Sequence, residues 1–325
     1  MHLSRPITLL TRSLTCFVSI VTLTSLAAPY PQVSREAAHE QQTTISVDVS
    51  LINVFFTVTD KKGKSIRNLK QENFKVFEDD RAQTITNFSA EANLPLVMAL
   101  LIDTSGSVRD RLRFEQNAAV EFFQSTLIPH KDRALVIAFD TKAAVLQDYT
   151  DDIDLLARAV KKMRAGGGTS FYDAVYAVAT QKLAAQDGRR IMVVVTDGDD
   201  TSSRSSITEA LEAAQKNDVI IYAISTNPSA PGDDKNQRGD DALKELGEST
   251  GGRVFFPFKA NQLKSNFNDI RDELRFQYTL AYSPTNIRKD GTFRRIRIET
   301  SDKRYIVRAR DGYFAPNSPA SGQSR

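Results

Sequence analysis

LPLVMALLIDTSGS, residues 94–107, passes from an apolar run to a polar loop within a single residue. Residues 94–102 are apolar, interrupted only by Pro95 near the start. A run this short and uniform predicts a strand buried on both faces, as inside a parallel sheet. In open α/β sheets, sites lie just beyond the carboxyl ends of the strands, which is where the polarity flips here. Asp103, Ser105 and Ser107 alternate, so one tight loop can turn three oxygen-bearing side chains towards a common point. Oxygen-only donors suit a hard cation such as Mg²⁺ or Ca²⁺. Taken alone, the same five residues read equally well as a helix cap without any metal.

Two later stretches break the tie. Gly166-Gly167-Gly168-Thr169-Ser170 precedes a helical pattern, and a buried run at 191–195 ends in Thr196-Asp197-Gly198. Together the three loops resemble the metal-ion-dependent adhesion site of the von Willebrand factor type A (VWA) family. That resemblance implies that Thr169 and Asp197 complete a site begun by Asp103, Ser105 and Ser107, all five positions being filled in family order. It also implies a Rossmann-like α/β domain whose two serines bind the metal directly while one or both carboxylates act through water. Mg²⁺ is the expected ion, with Mn²⁺ or Ca²⁺ as substitutes. An open coordination position would accept an Asp or Glu carboxylate from a partner protein. In some members Thr169's counterpart enters and leaves the shell as the last helix slides, here around residues 263–274.

The N-terminus predicts export. Arg5 and Arg12 flank a polar start, residues 14–28 are uncharged and apolar, and Ser25-Leu26-Ala27 offers a peptidase site. A mature chain is expected to begin near Ala28, outside the cytoplasm, with no membrane insertion after cleavage; the alternative is that the run is retained as an uncleaved anchor. The single cysteine, Cys16, lies inside the signal, so the exported protein is expected to hold no thiol or disulfide. Cleavage removes two of the three surplus positive charges. A near-neutral surface gives no reason to invoke nucleic acid.

The rest of the chain divides by pattern. After the signal (1–27) and a polar linker (28–42), residues 43–92 alternate as short β-strands. Ile45, Val47, Val49 and Leu51 begin that alternation, Val54 to Val58 continue it, and a polar hairpin turn falls at 78–81. Residues 93–275 alternate strand and helix, which predicts a mostly parallel sheet with helices on both faces. A helix is expected over 109–127 and another over 171–185, with a loop lacking structural signal over 227–241. Residues 276–316 return to β, with a hairpin expected at Asp290-Gly291, and 317–325 is a small polar tail. About fifty residues at one end cannot bury a good core alone. The two β flanks are therefore expected to pair into one β-sandwich into which the α/β domain is inserted. They also resemble the flanks of a bacterial secreted VWA-related subgroup, through Asn73-Phe74-Lys75 and Arg310-Asp311-Gly312-Tyr313.

Catalysis has little to stand on. An aspartate phosphotransferase would need an acid at Ser105, and Val58 replaces the first glycine a Walker A loop requires before Gly63-Lys64-Ser65. His2, His39 and His130 do not cluster, and no placed base serves a nucleophile. Asp199 and Asp200 could form a second cation site, but a solvated loop cap is the better reading. The expectation is an exported, non-enzymatic binding module that captures a partner carboxylate through a divalent cation. The alternative is a structural or assembly component of a cell-envelope complex whose metal only stabilises the loops.

Overall fold

The computed structural model describes residues 51–90, 94–227, 234–257 and 260–317. The predicted signal, the linker and nearly all of the tail lie outside them, as does the alternation over 43–50.

The chain enters through β1 (Ile52–Thr59), β2 (Phe74–Glu78), β3 (Arg81–Gln83) and β4 (Ile85–Ser89). Asp79 and Asp80 turn β2 into β3 with φ of 46° and 62°. Two left-handed central residues match the twist of a two-residue hairpin. The α/β part follows: β5 (Leu96–Asp103), α1 (Leu112–Thr126), β6 (Arg133–Phe139), β7 (Ala143–Thr150), α2 (Ile153–Lys161) and α3 (Phe171–Ala177). It continues with β8 (Arg189–Thr196), α4 (Ile207–Lys216), β9 (Val219–Ser225), α5 (Asp234–Ser249), β10 (Arg253–Phe255) and α6 (Ala260–Arg275). Strands β11 (Tyr278–Tyr282), β12 (Phe293–Thr300), β13 (Ile306–Ala309) and β14 (Gly312–Phe314) close the chain.

The central sheet has the order β10-β9-β8-β5-β6-β7, parallel except for the antiparallel edge strand β7. All eight residues of β5 are buried. Leu96, Met98, Leu100 and Ile102 face a core shared with α1, α2 and α6, whereas Val97, Ala99 and Leu101 face one shared with α3, α4 and α5. Burial on both faces is why the sequence shows a continuous run and no alternation. Local chemistry starts the helices where the sequence places caps. Asp152 accepts from the backbone N–H groups of Asp154 and Leu155, and Ser206 forms a reciprocal capping box with Glu209.

The flanks form two four-stranded antiparallel sheets, β13-β1-β11-β4 and β14-β12-β2-β3. Each contains strands from both ends of the chain, and the two share one core of Val54, Phe56, Val76, Leu280, Ile296 and their neighbours. Phe56 and Phe74 meet edge-to-face across it at 5.0 Å. The fold is thus an α/β VWA-like domain set between the halves of a β-sandwich. Polar groups stitch its interior as well. Glu78, 2% exposed, accepts from the phenols of Tyr282 at 2.8 Å and Tyr313 at 2.9 Å. Arg294, equally buried, lies 3.7 Å from the other carboxylate oxygen and donates to the carbonyls of Asn286 and Arg288. Because β1 is paired on one side with β11 and on the other with β13, truncation before Phe276 strips both neighbours from it. Such a chain is expected to aggregate through β1, measured as loss of the monomer peak in size-exclusion chromatography.

Four local expectations need correction. The Asp290-Gly291 turn does not join β11 to β12 as a hairpin, since those strands sit in different sheets. Its partner is the segment just after β14, through an Asp290–Asn317 bridge and the Gly291 N–H on the Pro316 carbonyl. The helix predicted over 109–127 starts at Leu112, after a 3₁₀ turn at Gly106–Val108. The one predicted over 171–185 widens at Val178–Leu183 into a π-helical segment, where the Thr180 hydroxyl takes the Tyr176 carbonyl and Tyr149 takes that of Lys182. Side chains there compete for carbonyls of the ladder. The expected loop over 227–241 gives way to α5 from Asp234 onwards. Among the described residues no helix is long and apolar enough to cross a membrane.

Candidate metal centre

The ends of β5 and β8 bring four of the five predicted donors into one hydrogen-bonded group. The Ser105 backbone N–H donates to Asp103 Oδ1 at 2.8 Å, which closes the loop back onto the strand end. The hydroxyls of Ser105 and Ser107 are 3.0 Å apart, and Ser107 Oγ donates to Asp197 Oδ2 at 2.9 Å. Asp103 is fully buried, Ser105 nearly so, and Ser107 faces solvent. The site therefore has a dry floor and an open rim. Thr169 approaches by its backbone instead. Its carbonyl accepts from the N–H groups of Thr201 and Ser202, and its own N–H donates to Thr201 Oγ1. Among the described residues its hydroxyl makes no hydrogen bond to the other four.

The glycine loop is tied to the first loop at two points: Gly166 N–H donates to the Thr104 carbonyl at 2.7 Å, and Gly106 N–H to that of Gly167 at 3.2 Å. Gly167 has φ of +85° and lies against the Asp140 carboxylate, so a side chain would be strained and crowded there. Gly198, at φ +78°, approaches Gly239 of α5 so closely that a Cβ would fall 2.4 Å from its carbonyl oxygen. Asp200 does not join the group. Its oxygens accept from Ser202 N–H, Ser203 N–H, Ser203 Oγ and Tyr172 N–H, which makes it a loop staple.

Two supporting groups went unnoticed in the sequence. Thr196 Oγ1 donates to Asp103 Oδ2 at 2.6 Å and accepts from Gly198 N–H. Asn227 donates to the Asp197 carbonyl and to Asp240, which also accepts from Ser225 Oγ. A hydroxyl residue one place before Asp197 was the only available signal for the first, and the second depends on distant contacts. A buried acid also went unremarked: Glu115, in the first turn of α1. It is 3% exposed and neither carboxylate oxygen has a hydrogen-bond partner among the described residues.

Burial pushes the Asp103 pKa up, the Thr196 and Ser105 hydrogen bonds hold it down, and the Asp197 charge adds to the rise. Among the described residues no group of three or more His, Cys, Asp or Glu side chains gathers as a metal cage. The donor set is instead two carboxylates with neighbouring hydroxyls. Such a set fits a hard divalent cation that is not fully enclosed by anions.

A profile of the von Willebrand factor type A domain matches residues 98–270, more than half of the chain. The chain belongs to the von Willebrand factor type A domain family. No curated protein matched it. Solved structures similar to it include proximal thread matrix protein 1 from the mussel byssus, described with a zinc-occupied MIDAS motif, at 16% identity and a TM-score of 0.49. That match covers 61% of this chain and 50% of the mussel protein. A PilB minor pilin from Streptococcus sanguinis matches at 15% identity and a TM-score of 0.46, over 60% of this chain and 63% of the pilin. A von Willebrand factor type A protein from Catenulispora acidiphila matches at 12% identity and a TM-score of 0.45, over 83% of this chain and 74% of that one. This chain thus spans less than two thirds of the mussel and pilin chains.

Proposed function

We propose that this chain is an exported, non-enzymatic binding module that captures a protein partner through a divalent cation held at the ends of β5 and β8. The observation that carries this reading is the linked group of Asp103, Ser105, Ser107 and Asp197, buried at its floor and open at its rim. Asp103, Ser105, Ser107, Thr169 and Asp197 would hold the ion, Mg²⁺ by preference, with Mn²⁺ or Ca²⁺ as substitutes. Bound there, the ion supplies a positive centre to which a partner's Asp or Glu carboxylate can add. The chain's own residues set how strong that centre is. Asp103 spends one oxygen on Ser105 N–H and the other on Thr196, and Asp197 accepts from Ser107. Carboxylates engaged in this way neutralise less of an ion's charge, which leaves more for an incoming acid. Thr169, anchored by its backbone with its hydroxyl uncommitted, is the donor able to enter or leave the shell.

Export rests on the Arg-flanked apolar run at 14–28. The non-enzymatic reading is supported by the lack of a histidine or thiol at the site among the described residues. The described histidine, His130, is 96% exposed at its side chain and precedes β6, at the amino end of the parallel strands and so away from the site. The second reading, a structural part of an envelope assembly, makes a different demand on the ion. Chelation with EDTA is expected to abolish partner capture from an envelope fraction while lowering the melting temperature by only a few degrees. Mass action allows a bound ion to add stability only as the logarithm of its concentration relative to Kd, about 2.7 kcal/mol at a hundredfold excess. Capture that survives EDTA, with a collapse of thermal stability, would favour the structural reading.

A further inference from the structure

Strand β1 turns two different faces to its neighbours. Val54, Phe56 and Val58 enter the sandwich core, so Asn53 and Phe55 face the α/β part, whose core Phe55 packs against. Thr279 of β11 lies opposite Phe55 in the register. Beyond this face are the amino ends of β8 and β9, where Arg190 and Val219 are register partners. Asp103 and Asp197 sit at the other, carboxyl end of the sheet. Between β1 and the two amino ends lies a cavity of about 260 Å³. Phe55, Leu94, Val219 and Ile220 supply its apolar wall. Its floor is buried at Val219 and Thr250, and its mouth is open at Leu94, 49% exposed, and at the Asp218 side chain.

Charge in this cavity does not cancel. Arg310 pairs with Asp218, and its other terminal nitrogen donates to the Asn53 carbonyl at 3.0 Å. Arg190 donates to the carbonyls of Gln186 and Asn217, both at 2.8 Å, and pairs with no acid among the described residues. Two guanidinium groups stand against one carboxylate, and no other ionisable side chain among the described residues lines the space. Sites for drug-sized ligands begin at about 300 Å³, so this one suits a smaller molecule. A surplus guanidinium selects a carboxylate, which its planar fork of donors matches. A bare inorganic anion would leave the apolar wall unfilled.

We propose that this junction is a second binding site, independent of the metal, for a small apolar monocarboxylic acid. The carboxylate lies against Arg190 and the hydrocarbon body against Phe55, Leu94 and Val219. Arg310, from the Arg310-Asp311-Gly312-Tyr313 segment that the metal reading leaves unused, occupies Asp218 and so leaves Arg190 without an internal counter-ion. Because the walls come from both parts of the fold, an occupant fastens the sandwich to the α/β part.

The test is calorimetric titration of phenylacetate, and of phenylacetamide as its uncharged counterpart, into the full chain with EDTA present. Chelation strips divalent cations, so the acid cannot bind at the metal centre instead. Phenylacetate is expected to bind at least about tenfold more tightly than the amide, the margin that a hydrogen bond between charged groups supplies. It should also raise the melting temperature by mass action. Arg190→Gln should reduce the acid to the affinity of the amide. Leu94→Asp changes an exposed residue at the mouth and should fold as the parent does. Its added negative charge should weaken the acid and spare the amide. Equal affinity for acid and amide, no binding of either, or acid binding that either variant leaves unchanged would overturn the proposal.

Discussion

Asp103→Ala is expected to lower Mg²⁺ and Mn²⁺ affinity by at least about 10–100-fold, the loss typical even of an outer-sphere partner of a metal site. The fold should survive it. Removing the carboxylate leaves Thr196 Oγ1 and the Ser105 N–H without their acceptor, at a cost of about 1–3 kcal/mol for each buried group left unpaired. Against this, a buried charge that its surroundings already disfavour is gone. Asp197→Ala should behave alike, because the two acids share the balancing of one ion. Thr169→Ala should weaken metal binding less and partner capture more, since its hydroxyl makes no hydrogen bond within the group. Asp110→Ala, exposed on the turn before α1, is the control and should change nothing. Calorimetric titration reads all four. If Asp103→Ala binds the ion as tightly as the parent, the loop is only a strand-to-helix cap.

The largest loss of stability is expected from Glu78→Ala, far from the site. It removes the acceptor of two phenols and the carboxylate beside a buried arginine in one step. Breaking a buried ion pair from one side costs about 3–5 kcal/mol, because the remaining charge stays in the low-dielectric interior. Arg294 keeps only carbonyl partners and Asp290, 3.8 Å away. Tyr282 and Tyr313 add to the cost: burial raises both pKa values, so each stays a donor that has lost its acceptor. Urea unfolding should show the shift, and a parallel Arg294→Met, Glu78→Leu double variant should recover much of it. A single Glu78→Ala variant of near-parental stability would mean that water replaces the carboxylate at no cost.

The sequence was most legible where chemistry is local. Strand β5 announced itself by the apolar run ending at Ile102, and the loop after it by alternating oxygens. The paired flanks were foreseeable because neither could bury a core alone. What stayed hidden depended on partners remote in sequence. Turn chemistry at Asp290-Gly291 was read correctly as a turn, but nothing local says that its partner is Asn317 and not β11. The start of α5 was read as loop because Asp234 to Asp241 carries no apolar stripe, and Gly239 looks like a breaker until its close approach to Gly198 is seen. Glu115 could have been found. Leu112, Glu115, Ala118 and Phe122 fall on one helical face, and a charge amid an apolar stripe marks either an ion pair or a working acid.

The interleaving of the two flank sheets also sets a timetable. A chain threaded out N-terminus first presents β1 and β2 long before β11 to β14 exist, and the intervening α/β part can condense in that interval. Strand β1 waits more than two hundred residues for its neighbour β11, with Val54, Phe56 and Val58 uncovered meanwhile. Pairings of such sequence separation form slowly and invite foreign strands. The last event in maturation is thus the docking of the C-terminal strands onto their waiting partners, and until it happens the newborn chain is a client for whatever holds unfolded proteins apart.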